Sequence, residues 1–273
     1  LAGLSADDRK KLFIVVCDRE ARSLIDAGVT PDIVVSIDGT EEIRHYIQKI
    51  PVLEGIGIRF AMCVITSPAV ADLARRRGGI YWFVPMWDDV EAEKSVTRML
   101  HYMTGKAIIQ TLGNVGATCV TAAALLGCNP VGFLGLDYGY PPDTPLEDTT
   151  YYKAYLDMVA MHNRAIKKEN SLIKGRYSAA MNRFQRNPTL PAPSEPVYKR
   201  EVTVETCFRY LINPDTNMHV LVSQNWDAYR YLFVNTWRLA KPKPRLVNLS
   251  PISSIWGEGI ETKSLEDFLK EVA

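Results

Sequence analysis

Two short stretches carry the side chains and backbone groups best suited to chemistry. The first, Gly113-Asn114-Val115-Gly116-Ala117-Thr118, is a small-residue loop running into an Ala-rich segment that closes at Gly127. A helix starting there exposes unpaired N–H groups at the positive end of its dipole, a seat for a phosphate, and glycines let a ligand approach the backbone. The second, Val131-Gly132-Phe133-Leu134-Gly135-Leu136-Asp137-Tyr138, is an apolar run that ends in a carboxylate. Asp38 closes another such run, and in open α/β sheets ligands bind where strands end. Gly113, Asn114, Gly116 and Thr118 are therefore nucleotide-binding candidates, and Asp38 and Asp137 catalytic ones. Tyr138 and Tyr140, with Tyr151 and Tyr152, are placed to stack on a base or sugar ring. His162 is the one histidine between Tyr138 and Arg200. An imidazole titrates near neutrality, as a general base needs. Blander readings stand beside these. An Ala-rich helix after a Gly-Asn turn is also an ordinary crossover helix, an Asp after a strand is also a turn former, and a lone His on a helix is also a surface residue. The motif is neither a P-loop nor a dinucleotide fingerprint, since no Gly-Lys-Ser/Thr follows and the third glycine is absent.

The elements that must position these groups alternate. Leu12–Val16, Asp32–Asp38, a strand within 56–65, and Ile80–Pro85 read as strands. Asp18–Ala27, stopped by Gly28, and a helix starting at Ser67-Pro68 and running through Arg77 lie between them. Glu91–Met103 reads as an amphipathic helix and Val131–Tyr138 as a strand. This rhythm predicts an α/β fold, a Rossmann-like and mostly parallel single sheet with helices on both faces. Residues 1–140 are expected to form an α/β nucleotide-binding core and 202–273 to complete it. Tyr151–Lys168 reads as helical, and the Pro-rich segment beyond it as irregular. From Arg164 to Arg200 there are nine Lys/Arg against two Glu, so residues 141–201 read as an inserted lid over the carboxyl edge that meets an acidic ligand. Asp227–Leu239 and Ser264–Val272 read as helices and Arg245–Leu249 as a strand.

Composition bounds the rest. The 273 residues carry a net charge of +1, which argues against a dedicated nucleic-acid binder. No apolar run has the length of a membrane span. Cys17, Cys63, Cys119, Cys128 and Cys207 show no zinc-ligand spacing and read as free thiols in a reducing, cytoplasmic setting.

Three stretches together resemble the motility accessory factor family, whose domain also includes the archaeal 6-hydroxymethylpterin diphosphokinases. Ala27 to Asp38 is similar to its "G-I-x-P-D-x-x-V-x-x-D" segment. Gly113 to Asp137 matches a Gly- and Ala-spaced block that also looks like one in bacterial sialyltransferases. Val247 to Leu265 resembles its C-terminal "N-x-S-x-x-G-x-x-I-x-G-I" segment. The "G-x-G-P-S-L" loop that opens the family does not precede Leu12, so it is expected to lie upstream or to be lost. The resemblance implies a nucleotide-dependent transferase. One branch moves a nonulosonic acid from a CMP-sugar to a protein hydroxyl. The sialyltransferase-like relatives place a histidine downstream of the Gly-x-Asp segment, a position that His162 loosely matches. The other branch passes a pyrophosphoryl group from ATP to a pterin alcohol, with Mg²⁺ held by carboxylates such as Asp38 and Asp137. A non-catalytic nucleotide-binding module keeps the fold without the chemistry. Ser36-Ile37-Asp38 offers a single carboxylate at its strand end, which favours the sugar transferase over a two-metal kinase.

Overall fold

A computed structural model of the chain describes residues 1, 3–52, 57–241 and 244–272. In chain order its elements are α1 (Ala6–Lys10), β1 (Val15–Cys17), α2 (Ala21–Asp26), β2 (Ile33–Ser36), α3 (Arg44–Ile47), β3 (Arg59–Cys63), α4 (Pro68–Arg75), β4 (Ile80–Met86), α5 (Val96–Thr104) and β5 (Ile108–Gln110). Then come α6 (Val115–Leu125), β6 (Val131–Phe133), α7 (Tyr152–Arg186), β7 (Phe208–Asn213), β8 (Met218–Ser223), α8 (Gln224–Leu239), β9 (Leu246–Asn248), β10 (Ile260–Thr262) and α9 (Leu265–Val272). The first five strands form a parallel sheet in the order β1-β2-β3-β4-β5. Parallel neighbours in sequence order require crossovers of one hand, which puts their helices on one face. Side-chain alternation shows the result. Val34, Phe60 and Met62 pack with Ala21, Ile47, Val70 and Ala74 of α2, α3 and α4. Ile33, Val35, Ala61, Cys63 and Phe83 point to the other face and meet Ala122, with Val115 and Cys119 beside it, on α6. The Rossmann-like sheet with helices on both faces is thus present.

It is not one sheet, however. β6 pairs in parallel with β9, and β9 with β10, in a second sheet of order β10-β9-β6. The far side of α6, through Ala117, Val120 and Ala123, packs on Val131, Phe133 and Leu246 of this sheet and on Phe233 and Trp237 of α8. α6 is therefore covered on both sides, which is why its 11 residues are apolar or small all round rather than amphipathic. On the outer face of the second sheet, Phe268 of α9 packs on Val247 and Leu249. Gly132 makes room there, because a Cβ would lie 2.8 Å from the Phe268 ring.

Several boundaries differ from the expectation, each for a local reason. The strand expected over Val131–Tyr138 ends at Phe133 because Gly135 (φ 75°) and Tyr138 (φ 48°) cannot remain extended. Ile56, at the start of the expected third-strand stretch, lies outside the described residues. The helix expected from Glu91 starts at Val96, capped by the Ser95 hydroxyl on the Arg98 N–H. Ser67 precedes Pro68 as expected, but its hydroxyl bonds Glu41 instead of capping α4. The irregular segment after Lys168 is helical to Arg186, because no proline interrupts it before Pro188 and Ile173, Tyr177 and Phe184 keep helical spacing. The antiparallel hairpin β7–β8, absent from the sequence reading, turns at Asn217 (φ 55°). All five cysteines are free, and no helix among the described residues is long and apolar enough to cross a membrane.

The packing of α6 makes a direct prediction. Ala122→Leu pushes three extra carbons between helix and sheet and should cost about 1–3 kcal/mol in urea unfolding. Leu125→Ala, on an exposed position of the same helix, should stay within about 0.5 kcal/mol.

The C-terminal unit makes another. Arg245 holds Glu261 through two hydrogen bonds of 2.6 and 2.8 Å and also binds Glu271. Hydrogen bonds from Arg245, aided by Lys263, hold both carboxyls down at about 2. These values lie below those of the unfolded chain, so the unfolded state binds more protons in acid. The contribution is complete above about pH 4.5 and is lost as pH falls towards 2. Urea midpoints measured across that window should fall, and Glu271→Gln should flatten the fall.

Candidate functional site

The site is organised by the first turn of α6. Asn114, extended at φ −154°, caps the helix, its Oδ1 accepting from the Ala117 N–H at 2.9 Å. Its amide also donates to the Tyr138 hydroxyl at 2.8 Å. Thr118 shares its hydroxyl between the carbonyls of Thr111 and Asn114, and the Thr118 N–H bonds the Asn114 carbonyl at 3.2 Å. That leaves the backbone N–H groups of Val115 and Gly116 without an acceptor among the described residues. Two open donors at a helix start have the geometry that an anion seat needs, and they belong to Val115 and Gly116 rather than to Thr118. Thr118 is fully buried and lines no opening. Its role is to tie the loop to the helix.

Three carboxylates follow strands that α6 contacts: Asp18 after β1, Asp38 after β2 and Asp137 after β6. Val115 packs in one cluster with Ile37, and the next residue, Asp38, is exposed. Asp18, absent from the sequence reading, follows β1 and is 4% exposed. It accepts from the Ser36 hydroxyl at 2.5 Å and from the Arg19 N–H at 2.7 Å. Burial pushes its carboxyl up, the Ser36 bond opposes this, and the charge of Asp38 adds to it. The signal for Asp18 was in the chain all along, as an Asp closing the first apolar run just as Asp38 closes the second.

Asp137 follows β6 and so approaches from the second sheet. Burial raises its carboxyl against a hydrogen bond from Ser250, and its Oδ1 is buried without a partner among the described residues. Its neighbours carry the contact with α6. Leu136 lies against Gly116, where a Cβ would come within 2.7 Å of its Cδ1, and Tyr138 bonds Asn114. A bulky residue at Gly116 would thus displace Leu136. The main chain here is held firmly. The Ser254 N–H and hydroxyl bond the Asp137 carbonyl at 2.9 and 3.0 Å. Leu112 (φ 52°) and Tyr138 (φ 48°) are two of the non-glycine residues with positive φ, and they flank the Asn114 clasp. Backbone strain of this kind persists where surrounding structure over-determines it, as at functional sites.

The aromatic candidates fall elsewhere. Tyr138 is buried against Tyr229 and Phe233, and burial drives its hydroxyl upward in pKa, so it is a core and clasp residue and not a stacking platform. Tyr140 is already stacked on Trp226, with centroids 4.4 Å apart and planes 13° apart. Gly113 (φ 79°) faces the Tyr229 ring, where a Cβ would meet Cε1 at 3.0 Å. His162 is exposed on α7 and has no hydrogen-bond partner among the described residues, so nothing carries its expected approach to the cleft. Nor do the contacts of α7 describe a lid. They describe an arm braced at its base, where Tyr155 packs with Val204 and Cys207 and its hydroxyl caps α8 at the Asn225 N–H.

For a metal, the described residues hold no cluster of three His, Cys, Asp or Glu. Asp18 and Asp38 still suit a Mg²⁺ that takes one or two carboxylates and completes its shell from phosphates and water.

The clasp predicts its own cost. Asn114→Ala removes a cap and strands the buried Tyr138 hydroxyl, for a loss of about 2–3 kcal/mol. Tyr138→Phe removes the hydroxyl's two contacts with Asn114 but keeps the helix cap, and should cost about 1 kcal/mol. Guanidinium unfolding of the two variants checks the order.

A family model described as 6-hydroxymethylpterin diphosphokinase MptE-like matches residues 2–143, the stretch that holds the first sheet, α6, β6 and all three carboxylates. In fold, the chain is similar to the structure of MAf glycosyltransferase from Magnetospirillum magneticum AMB-1. The TM-score is 0.54 at 14% identity, covering 97% of this chain and 34% of that one. The chain thus spans about a third of the length of that neighbour. No curated protein matches it.

Proposed function

The chain belongs to the 6-hydroxymethylpterin diphosphokinase MptE-like family, and we propose that its site serves nucleotide-dependent group transfer, with a CMP-activated nonulosonic acid as donor and a hydroxyl as acceptor. The observation that carries this is the pair of open N–H donors at Val115 and Gly116, with Val115 in one packed cluster with Ile37 and Gly116 against Leu136, the residues that precede Asp38 and Asp137. In such a transfer the bond between the anomeric carbon and the phosphate oxygen breaks, and a bond from that carbon to the acceptor oxygen forms. The departing phosphate gains negative charge, which fixed N–H donors stabilise without reorganising. Asp38, exposed at the end of its run, suits the base that takes the acceptor proton. Asp137, raised by burial, suits a proton donor to the leaving group. The glycosyltransferase fold of the neighbour supports this reading. The division into a core over 1–140, an insertion over 141–201 and a completing segment over 202–273 belongs to the same proposal.

One observation favours a second reading. Asp18 lies near enough to Asp38 for their charges to interact, which supplies the second carboxylate that a Mg²⁺- and ATP-dependent diphosphokinase needs. There Asp18 and Asp38 would hold the metal, which neutralises charge on the transferring phosphates.

Thermal shift with CMP, and with ATP with and without Mg²⁺, separates the two, since a ligand at a hundredfold excess over its Kd adds about 2.7 kcal/mol. A shift with CMP alone supports sugar transfer, and one with ATP only when Mg²⁺ is present supports the kinase. No shift with either overturns the nucleotide site. Val115→Pro sharpens the test. Asn114 is already extended, as a residue before proline must be, and proline is well tolerated at the first helical position. The variant should therefore melt no lower than wild type, yet lose the nucleotide shift with its missing N–H.

A further inference from the structure

Helix α7 runs for 35 residues, about 52 Å at 1.5 Å per residue. The chain returns along one side of it. The Asn163 side-chain amide pairs with the backbone of Val202 at 2.8 and 3.0 Å, and that of Asn170 with Lys199 at 2.8 and 2.9 Å. Seven helical residues and three extended ones both span about 10 Å, so the two clasps stay in register. Salt bridges Lys199–Glu169 and Lys167–Glu201 flank them. This strap covers the side of α7 that bears Ile166, Ile173, Tyr177 and Phe184.

A different side is left to solvent. Met161, Arg164, Lys168, Leu172 and Arg176 recur at three- and four-residue spacing and Arg183 follows seven residues on, which puts them on one helical face, and all six are exposed. Met161 is 63% and Leu172 55% exposed. The face carries four cations with two aliphatic groups set among them, and Glu169 at its margin is already paired with Lys199. Across 164–200 the nine Lys/Arg against two Glu stand in a chain whose net charge is only +1, so the remainder is net acidic.

We propose that this face of α7 docks on an anionic membrane surface, lying in the headgroup plane with Met161 and Leu172 entering the acyl boundary and the flanking Arg and Lys meeting lipid phosphates. Charge complementarity and the interleaved aliphatic groups carry the assignment. An interfacial helix needs both, and long cationic side chains snorkel from the apolar boundary to the headgroups. A nucleic-acid partner would use the cations and leave Met161 and Leu172 with nothing to do. The proposal is independent of the chemistry at α6.

The test is flotation of the whole chain with phosphatidylcholine vesicles, with and without phosphatidylglycerol. The chain should float with the anionic vesicles, stay behind with neutral ones, and release at high salt. Arg164→Gln with Arg176→Gln should lower partitioning at least about tenfold, since each cation near such a surface is worth about fivefold. Met161→Ser with Leu172→Ser, at unchanged charge, should lower it several-fold as well. Both pairs lie on exposed positions, and an unchanged melting temperature confirms that each variant is folded. Absence of flotation with anionic vesicles overturns the proposal. So does binding that ignores Met161→Ser/Leu172→Ser and is matched on heparin, which would mark the face as a general polyanion or nucleic-acid site.

Discussion

The structure depends on one buried helix. α6 is held between two parallel sheets, with Val115, Cys119 and Ala122 on one side and Ala117, Val120 and Ala123 on the other. Only small side chains allow two sheets to approach a single helix so closely, because protein interiors are packed near crystal density and forgive little extra volume. The helix spends no polar face on solvent, so its direction and height are set by packing from both sides. That fixes where its N-terminus emerges: at the carboxyl end of β1 and β2, beside the turn that follows β6.

Polar bonds finish what packing begins. Asn114 caps the helix and clasps Tyr138, and the Ser253–Ser254 stretch holds the main chain of Asp137 and Tyr138 from the other side. Two non-glycine residues with positive φ sit within this lock. The strain is local and the restraint comes from three separated parts of the chain, 111–118, 136–138 and 250–255. A carboxylate on such a rigid turn keeps its burial and hence its raised affinity for a proton, as a positioned acid requires.

The long arm follows different physics. Its base is a small aromatic cluster around Tyr155, and beyond that it relies on side-chain amides pairing with an extended strap rather than on a core. Such a construction leaves most of one helical surface unclaimed, and a surface rich in cations and aliphatic groups is an interaction surface by composition.

Much was legible from the residues alone. The short apolar runs around Val34 and Phe60, Gly28 and Gly127 at helix ends, and Gly-Asn before an Ala-rich run determine the parallel α/β character, α6 and its open N-terminus, because those signals are local. Asp38 and Asp137 were legible as carboxylates closing apolar runs. Only the tertiary structure decided that β6 leaves the first sheet to join β9 and β10, since strands of three residues pair through partners more than a hundred positions away. It decided too that Tyr138 and Thr118 are internal ties, that Tyr140 is occupied by Trp226, and that Asp18 is buried on the Ser36 hydroxyl. Residue type announces what a side chain is able to do, whereas its burial and partners are set by packing between distant segments, which no local pattern encodes.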